Sequence, residues 1–172
     1  MAHMTVIEGR PAGYTTLTPY LVVENAAAAI DFYAAVFGAT IVSRLEGTAP
    51  DGSRYIGQAE LDFGGAGRLQ VSDPQPAFGL VAPDKRAEGV SQSIMIYVPD
   101  VDATIARAAE LGAEVKEQPS DFVSGDRFGA FVDPFGRRWA VMTRVEDLPA
   151  DESARRVEEW WAQLTASPQT GA

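Results

Sequence analysis

The sequence predicts an α+β protein made of two βαβββ modules followed by a C-terminal helix. Three observations carry that reading: an internal repeat, helix-capping residues at matching places within it, and turn residues that mark off strand candidates after each helix. In the 172-residue chain the same offset separates Val23 from Val98, Asn25 from Asp100 and Ile30 from Ile105. From Gly38 to Gly112 the offset is one residue shorter, which a one-residue difference in helix length explains.

The first module occupies about residues 16–72. Tyr20-Leu-Val-Val is a short strand, and Asn25 is a good N-cap because its side-chain oxygen can accept from the free amides of the first turn. Ile30, Phe32, Tyr33, Val36 and Phe37 form the apolar pattern of a helix, and Gly38 suits the left-handed position that ends it. Strand candidates follow at 40–45, 56–63 and 68–72, separated by Pro50-Asp-Gly52 and Gly64-Gly65. The second module, about 91–145, repeats the order. Met95-Ile-Tyr-Val leads to the N-cap Asp100 and a helix through Val101, Ile105, Ala108 and Leu111, with Gly112 after it. Strands are expected at 114–117, 127–132 and 138–144, the last two joined by a turn at Asp133-Pro-Phe-Gly136.

Residues 73–89, rich in Pro, Ala and Gly, form a long connecting loop, a length usually functional or mobile in compact domains. The two modules are read as one domain, 5–148. Beyond it, 149–166 is a helix on which Val157, Trp160, Trp161 and Leu164 form one apolar stripe. Either this stripe docks on the body or on a second subunit, or it is an appendage anchoring a partner through Trp160 and Trp161. Its charge run, Asp151 to Glu159, reads as the wet face of that helix. Residues 167–172 read as a flexible tail, and 1–4, Met-Ala-His-Met, as an expression scar.

Composition narrows function. The single His, His3, lies in that scar and there is no Cys. The natural chain therefore has no imidazole or thiolate for zinc, haem, a thiol nucleophile or a Ser-His-Asp triad. No cofactor is implied. The absence of Cys, of a signal-peptide pattern and of a long apolar run reads as cytoplasmic and soluble. A net charge of −10 repels phosphate, so neither nucleic acid nor an anionic membrane is an expected partner.

Gly125-Asp-Arg-Phe-Gly129 followed by Asp133-Pro-Phe-Gly136 and Trp139 resembles glyoxalase-like members of the vicinal oxygen chelate superfamily, as do Thr18-Pro-Tyr-Leu-Val, Asp31-Phe-Tyr33 and Phe37-Gly-Ala39. That superfamily includes glyoxalase I, extradiol dioxygenases, and bleomycin and fosfomycin resistance proteins. The resemblance runs from Thr16 to about Leu148. It implies curled mixed sheets around a shared cleft, helices on the outside, and a homodimer. It also implies four metal-ligand positions, which here are Thr18, Gln70, Ser93 and Ala140. Hydroxyls are weak ligands, Ala cannot ligate and Gln brings no charge, so no metal is expected.

On the parity that this fold turns to the cleft lie Thr18, Tyr20 and Val22, Gln70, and Ser93, Met95 and Tyr97. These are either the wall of a small-molecule pocket or core. Trp139, one residue out of phase with Ala140, should face the helices. Phe78 and Phe122 are loop aromatics that could be lids over an apolar ligand or a dimer contact; Arg127 is either an anion-binding group or an ion pair with Asp126. Gln58, Glu60 and Asp62 put two carboxylates on one strand face, a solvated edge or an acid–base pair in which Glu60 is the nominated base. The reading is a metal-free, bleomycin resistance-like protein that binds, and in an antibiotic-resistance role sequesters, a small organic molecule. The alternative is a lyase, isomerase or dioxygenase using atypical ligands or Glu60.

Overall fold

The computed structural model describes Gly9, Pro11 and residues 13–166. Strands and helices follow the order β1 (Tyr20–Val22), α1 (Ala26–Phe37), β2 (Thr40–Thr48), β3 (Arg54–Asp62), β4 (Arg68–Ser72), β5 (Ser93–Tyr97), α2 (Val101–Glu110), β6 (Glu114–Phe122), β7 (Asp126–Val132), β8 (Arg138–Arg144) and α3 (Ala150–Ala166). This is βαβββ twice and a final helix. The chain divides into two compact units: one reaches to Glu88 and adds Pro134–Gly136, and the other runs from Gly89 to Asp133 and resumes at Arg137. The expected scar and the tail after Ala166 lie outside the described residues.

In the first unit the strand order is β1-β4-β3-β2, with β1 parallel to β4 and the other pairs antiparallel. Strand parity sends Leu21, Ala59, Leu61, Leu69 and Val71 to one face, where all are buried together with Ala26, Ala29, Ile30, Tyr33 and Val36 of α1. Small Ala residues on that stripe let the helix approach closely. Asn25 caps α1 from a left-handed conformation, φ 63°, and its Oδ1 accepts from Ala28 N–H at 3.2 Å. Asp73, just past β4, accepts from Ala26 N–H at 2.9 Å and Ile56 N–H at 2.7 Å, tying the helix start to the sheet. The unit's aromatic core includes Phe135, edge-on to Phe32 at 6.0 Å between ring centres.

In the second unit the order β5-β8-β7-β6 repeats the pattern. α2, capped by Asp100 Oδ1 on Ala103 N–H at 2.9 Å, buries Val101, Ile105 and Ala108. Phe131, Trp139 and Val141 are buried too, and the indole N–H of Trp139 donates to Asp133 Oδ2 at 2.9 Å. A Cβ on Gly129 would stand 3.1 Å from Ile105, so Gly is what lets that helix residue seat. The turn after β7 closes through Asp133 N–H to Arg137 O at 2.8 Å, with Gly136 at φ 86°.

Several strands outrun their expected bounds. β2 continues to Thr48 and β3 begins at Arg54, a longer hairpin than its turn residues suggested. β6 extends to Phe122, so Phe122 is a strand residue and not a loop residue. The stretch passes through Pro119, tolerated because β6 is the outer strand, where one missing amide donor leaves no ladder partner unsatisfied. α3 docks on the second unit: Ser153 Oγ donates to Ser124 O at 2.9 Å, Arg156 pairs with Glu146 at 2.9 Å, and Trp160 stands edge-on to Phe122 at 5.0 Å. Trp161 is left 59% exposed.

Candidate functional site

Each sheet has one face against its helix and one open face, and the residues singled out from sequence divide between them. On the first sheet, register places Tyr20, Gln70, Glu60 and Ser43 side by side across all four strands of the open face. Glu60 is almost wholly buried. Its Oε1 accepts from Arg68 at 3.0 Å and its Oε2 accepts the phenol O–H of Tyr14. Arg68 also contacts Asp62 at 3.3 Å, donates to Gly13 O at 3.2 Å, and lies 5.4 Å from the centre of the Tyr14 ring. The hydrogen bond to the Glu60 carboxylate, more than burial, pushes the Tyr14 phenol above its ordinary value. Both oxygens of the nominated base are therefore engaged. Tyr14 and Arg68 were not singled out from sequence; Tyr14 precedes the first strand and carries no local pattern that would pair it with Glu60, 46 residues on.

Val22, assigned by parity to the same face, is buried at 5% exposure and is core. Thr18 is half-buried and precedes β1. Phe78 ends a single 3₁₀ turn, Pro76–Phe78, and is exposed.

On the second sheet β5 turns Ser93, Met95 and Tyr97 outward, while Ile94 and Ile96 are half-buried on the α2 side. Met95 is 60% and Tyr97 58% exposed. Register continues the face: Met95 stands beside Ala140 and then Ala130, and Tyr97 beside Met142 and then Phe128. Ala130 is buried, so the low point of this face is Ala140, beside the Met95 thioether and next to the row of Tyr97, Met142 and Phe128. At one end Arg138 donates to Ser93 Oγ at 2.7 Å and pairs with Glu117 at 2.6 Å. Phe122 lies against Trp160 and so is covered by α3 in this chain.

Arg127 is on the opposite face. Its guanidinium binds Asp102 of α2 through Nε and Nη2 at 2.6 and 2.8 Å and Asp121 at 2.9 Å. These hydrogen bonds hold Arg127 above its ordinary value and Asp102 below its own. The expected partner Asp126 instead binds Ser124 and Arg144. Arg127 thus anchors α2 to the outer strands rather than facing the open floor.

The four positions that the resemblance would assign to metal ligands, Thr18, Gln70, Ser93 and Ala140, do not fit a metal. Gln70 is neutral, Ala140 has no donor, and the Ser93 hydroxyl already accepts from a guanidinium, whose charge opposes a cation. Among the described residues no group of three or more His, Cys, Asp and Glu could hold an ion. Elsewhere in the first unit a depression of about 700 Å³ opens beside the start of α1, lined by Asn25, Arg44, Glu46, Arg54, Tyr55 and Asp73. Glu46 pairs with both arginines there.

Two βαβββ units, each with one helix-covered and one open face, define a class of scaffold that can host many chemistries. The family model of the glyoxalase/bleomycin resistance protein/dioxygenase superfamily matches residues 12–141, and the chain belongs to that superfamily. It is 38% identical over 136 residues to an uncharacterized Mycobacterium tuberculosis protein, covering 79% of this chain and 78% of that one. It is 33% identical over 131 residues to the anthracycline biosynthesis protein DnrV of Streptomyces peucetius, covering 76% of this chain and 42% of DnrV. A Pseudomonas aeruginosa protein of known crystal structure superposes with a TM-score of 0.61 at 24% identity, over 76% of this chain and 98% of that one.

Proposed function

We propose that this protein binds a small, planar aromatic molecule without a metal, on the open face formed by β5 and β8. The observation that carries the reading is Met95 and Tyr97, 60% and 58% exposed on a sheet whose other side is closed by α2. A protein surface gains nothing by wetting a thioether and a phenol side by side next to Ala140 and Met142. Against a flat aromatic ring both gain contact area, and the ring edge of Tyr97 adds a directional term. Arg138 and Glu117 supply polar groups at one end, which suits a ligand with hydroxyl or carbonyl substituents. The net charge of −10 favours a cationic ligand, and the similarity to DnrV makes polycyclic aromatic natural products the first class to try. Sequestering such a compound in a reducing cytoplasm is the role that accords with a cysteine-free chain.

The test is fluorescence titration with an anthracycline and with bleomycin. Saturable binding of one of them is expected, weakened about tenfold by Met95→Ala and by Tyr97→Ala, roughly 1.4 kcal/mol each. Both side chains are exposed, so melting temperatures should stay within a degree or two of the parent. Absence of binding to either compound, or undiminished binding by both variants, would overturn the reading.

A further inference from the structure

The third helix lies wholly beyond the residues matched to the superfamily, yet it is held on the second unit at several points. Its lead-in packs on the turn between β6 and β7. Val145 N–H and Glu146 N–H both donate to Gly125 O at 3.0 Å, and a Cβ on Gly125 would come 2.9 Å from the Leu148 side chain. Arg144 donates to Ser124 O at 2.8 Å and to Leu148 O at 3.3 Å, and Ser153 reaches the same Ser124 carbonyl from the helix itself. These contacts fix where Trp160 stands, edge-on to Phe122. Phe122 belongs to the open face. Register pairs it with Asp126 and then Arg144, which alternate with Phe128 and Met142 on the side away from Arg127 and α2. It comes two residues after Ser120, the end of the row Tyr97, Met142, Phe128, Ser120 that crosses the sheet.

The shape of that face brings its two edges together. In the strand order β5 and β6 are three spacings apart, roughly 14 Å on a flat sheet. Side chains stand nearly upright on a sheet, so groups on the two edges of a flat face do not share one partner. Here a single guanidinium serves both: Arg138 donates to Ser93 Oγ of β5 at 2.7 Å and to Glu117 Oε1 of β6 at 2.6 Å. Ala130, on the same face beside Glu117, is fully buried. The open face is therefore a trough whose edge strands turn towards each other. We propose that Trp160, seated on Phe122, is the second wall of this trough, facing Tyr97 across Met142 and Phe128, and that a planar aromatic ligand lies between the two walls. The inference rests on the binding function proposed above and adds to it a specificity-determining residue supplied by α3. A ring system wide enough to span the trough meets an aromatic group on both sides, whereas a narrow one meets Tyr97 alone.

The chain has no Cys, so Tyr97→Cys carries a single bimane label on the wall opposite α3. Bimane is quenched by an indole at contact range. Of the three tryptophans, Trp139 is buried on the α2 side and Trp161 is exposed. The label should be quenched in the ligand-free protein, with the quenching relieved by Trp160→Phe and retained in Trp161→Phe. In titrations of the full chain, the parent should prefer a tetracyclic anthracycline to the two-ring cation N-methylquinolinium, and Trp160→Ala should cut that preference about tenfold. A label at position 97 that Trp160 does not quench would overturn the wall. So would anthracycline binding that needs Tyr97 but not Trp160, or a loss in Trp160→Ala shared equally by both probes, which is what a displaced helix would give. Each of these results leaves the binding reading above intact. A parent chain that binds neither anthracycline nor bleomycin overturns that reading, and with it the ligand assigned to this trough.

Discussion

Glu60 shows how much a single position can carry in sequence and how little of its environment can be read there. Strand alternation placed Gln58, Glu60 and Asp62 on one face, and the register confirms that placement beside Gln70 and Tyr20. What surrounds the carboxylate, Arg68 from the next strand and Tyr14 from the segment before β1, depends on sheet pairing and on a chain path with no local signature. Removing the charge leaves Asp62 as the carboxylate on Arg68, beside its contacts to Gly13 O and the Tyr14 ring. Glu60→Gln should therefore destabilise the protein by about 1–3 kcal/mol in urea unfolding, below the full cost of breaking a buried pair because Asp62 remains. An E60Q variant of parental stability that had lost a catalytic activity would instead mark Glu60 as a base.

At the scale of elements, helices were the most legible and outer strands the least. Caps and apolar period located α1, α2 and α3 to within a residue or two, because both signals are local. The lengths of β2 and β6 were not legible, since an outer strand needs a partner on one side only and tolerates Pro119 and irregular register. α3 also has a titration of its own. Hydrogen bonds from Arg155 and then Arg156 hold the Glu152 carboxyl at about 2, below its ordinary 4.5. A carboxyl lower in the folded state than in the unfolded one stabilises above the unfolded value and loses that contribution as pH falls through the folded value. The helix should accordingly loosen between about pH 4.5 and pH 2. Tryptophan fluorescence, dominated on this helix by Trp160 and Trp161, should report it, and Glu152→Gln should remove that part of the acid dependence.

For the molecule as a whole, the lack of usable His and Cys is a property of composition that the fold turns into a statement about places. Thr18, Gln70, Ser93 and Ala140 are the positions to which the family resemblance would assign metal ligands, and Arg138 donates to one of them. Millimolar nickel, zinc or manganese should leave the melting temperature unchanged, and treatment with a chelator should leave ligand binding unchanged. Saturation at one hundred times Kd would add about 2.7 kcal/mol, a shift of several degrees in a chain of this size. A stoichiometric metal retained through purification without chelator would contradict the reading of these four positions.

The sequence by itself determined the two βαβββ modules, the helix faces and the third helix, because periodicity, caps and turns are written residue by residue. Tertiary structure decided which of the candidate residues keep company. It put Met95 and Tyr97 in the open over Ala140, closed Phe122 under Trp160, turned Arg127 to the helix side, and brought Tyr14 to Glu60. These outcomes depend on strand register and on contacts between residues far apart in the chain, and neither leaves a trace in local sequence.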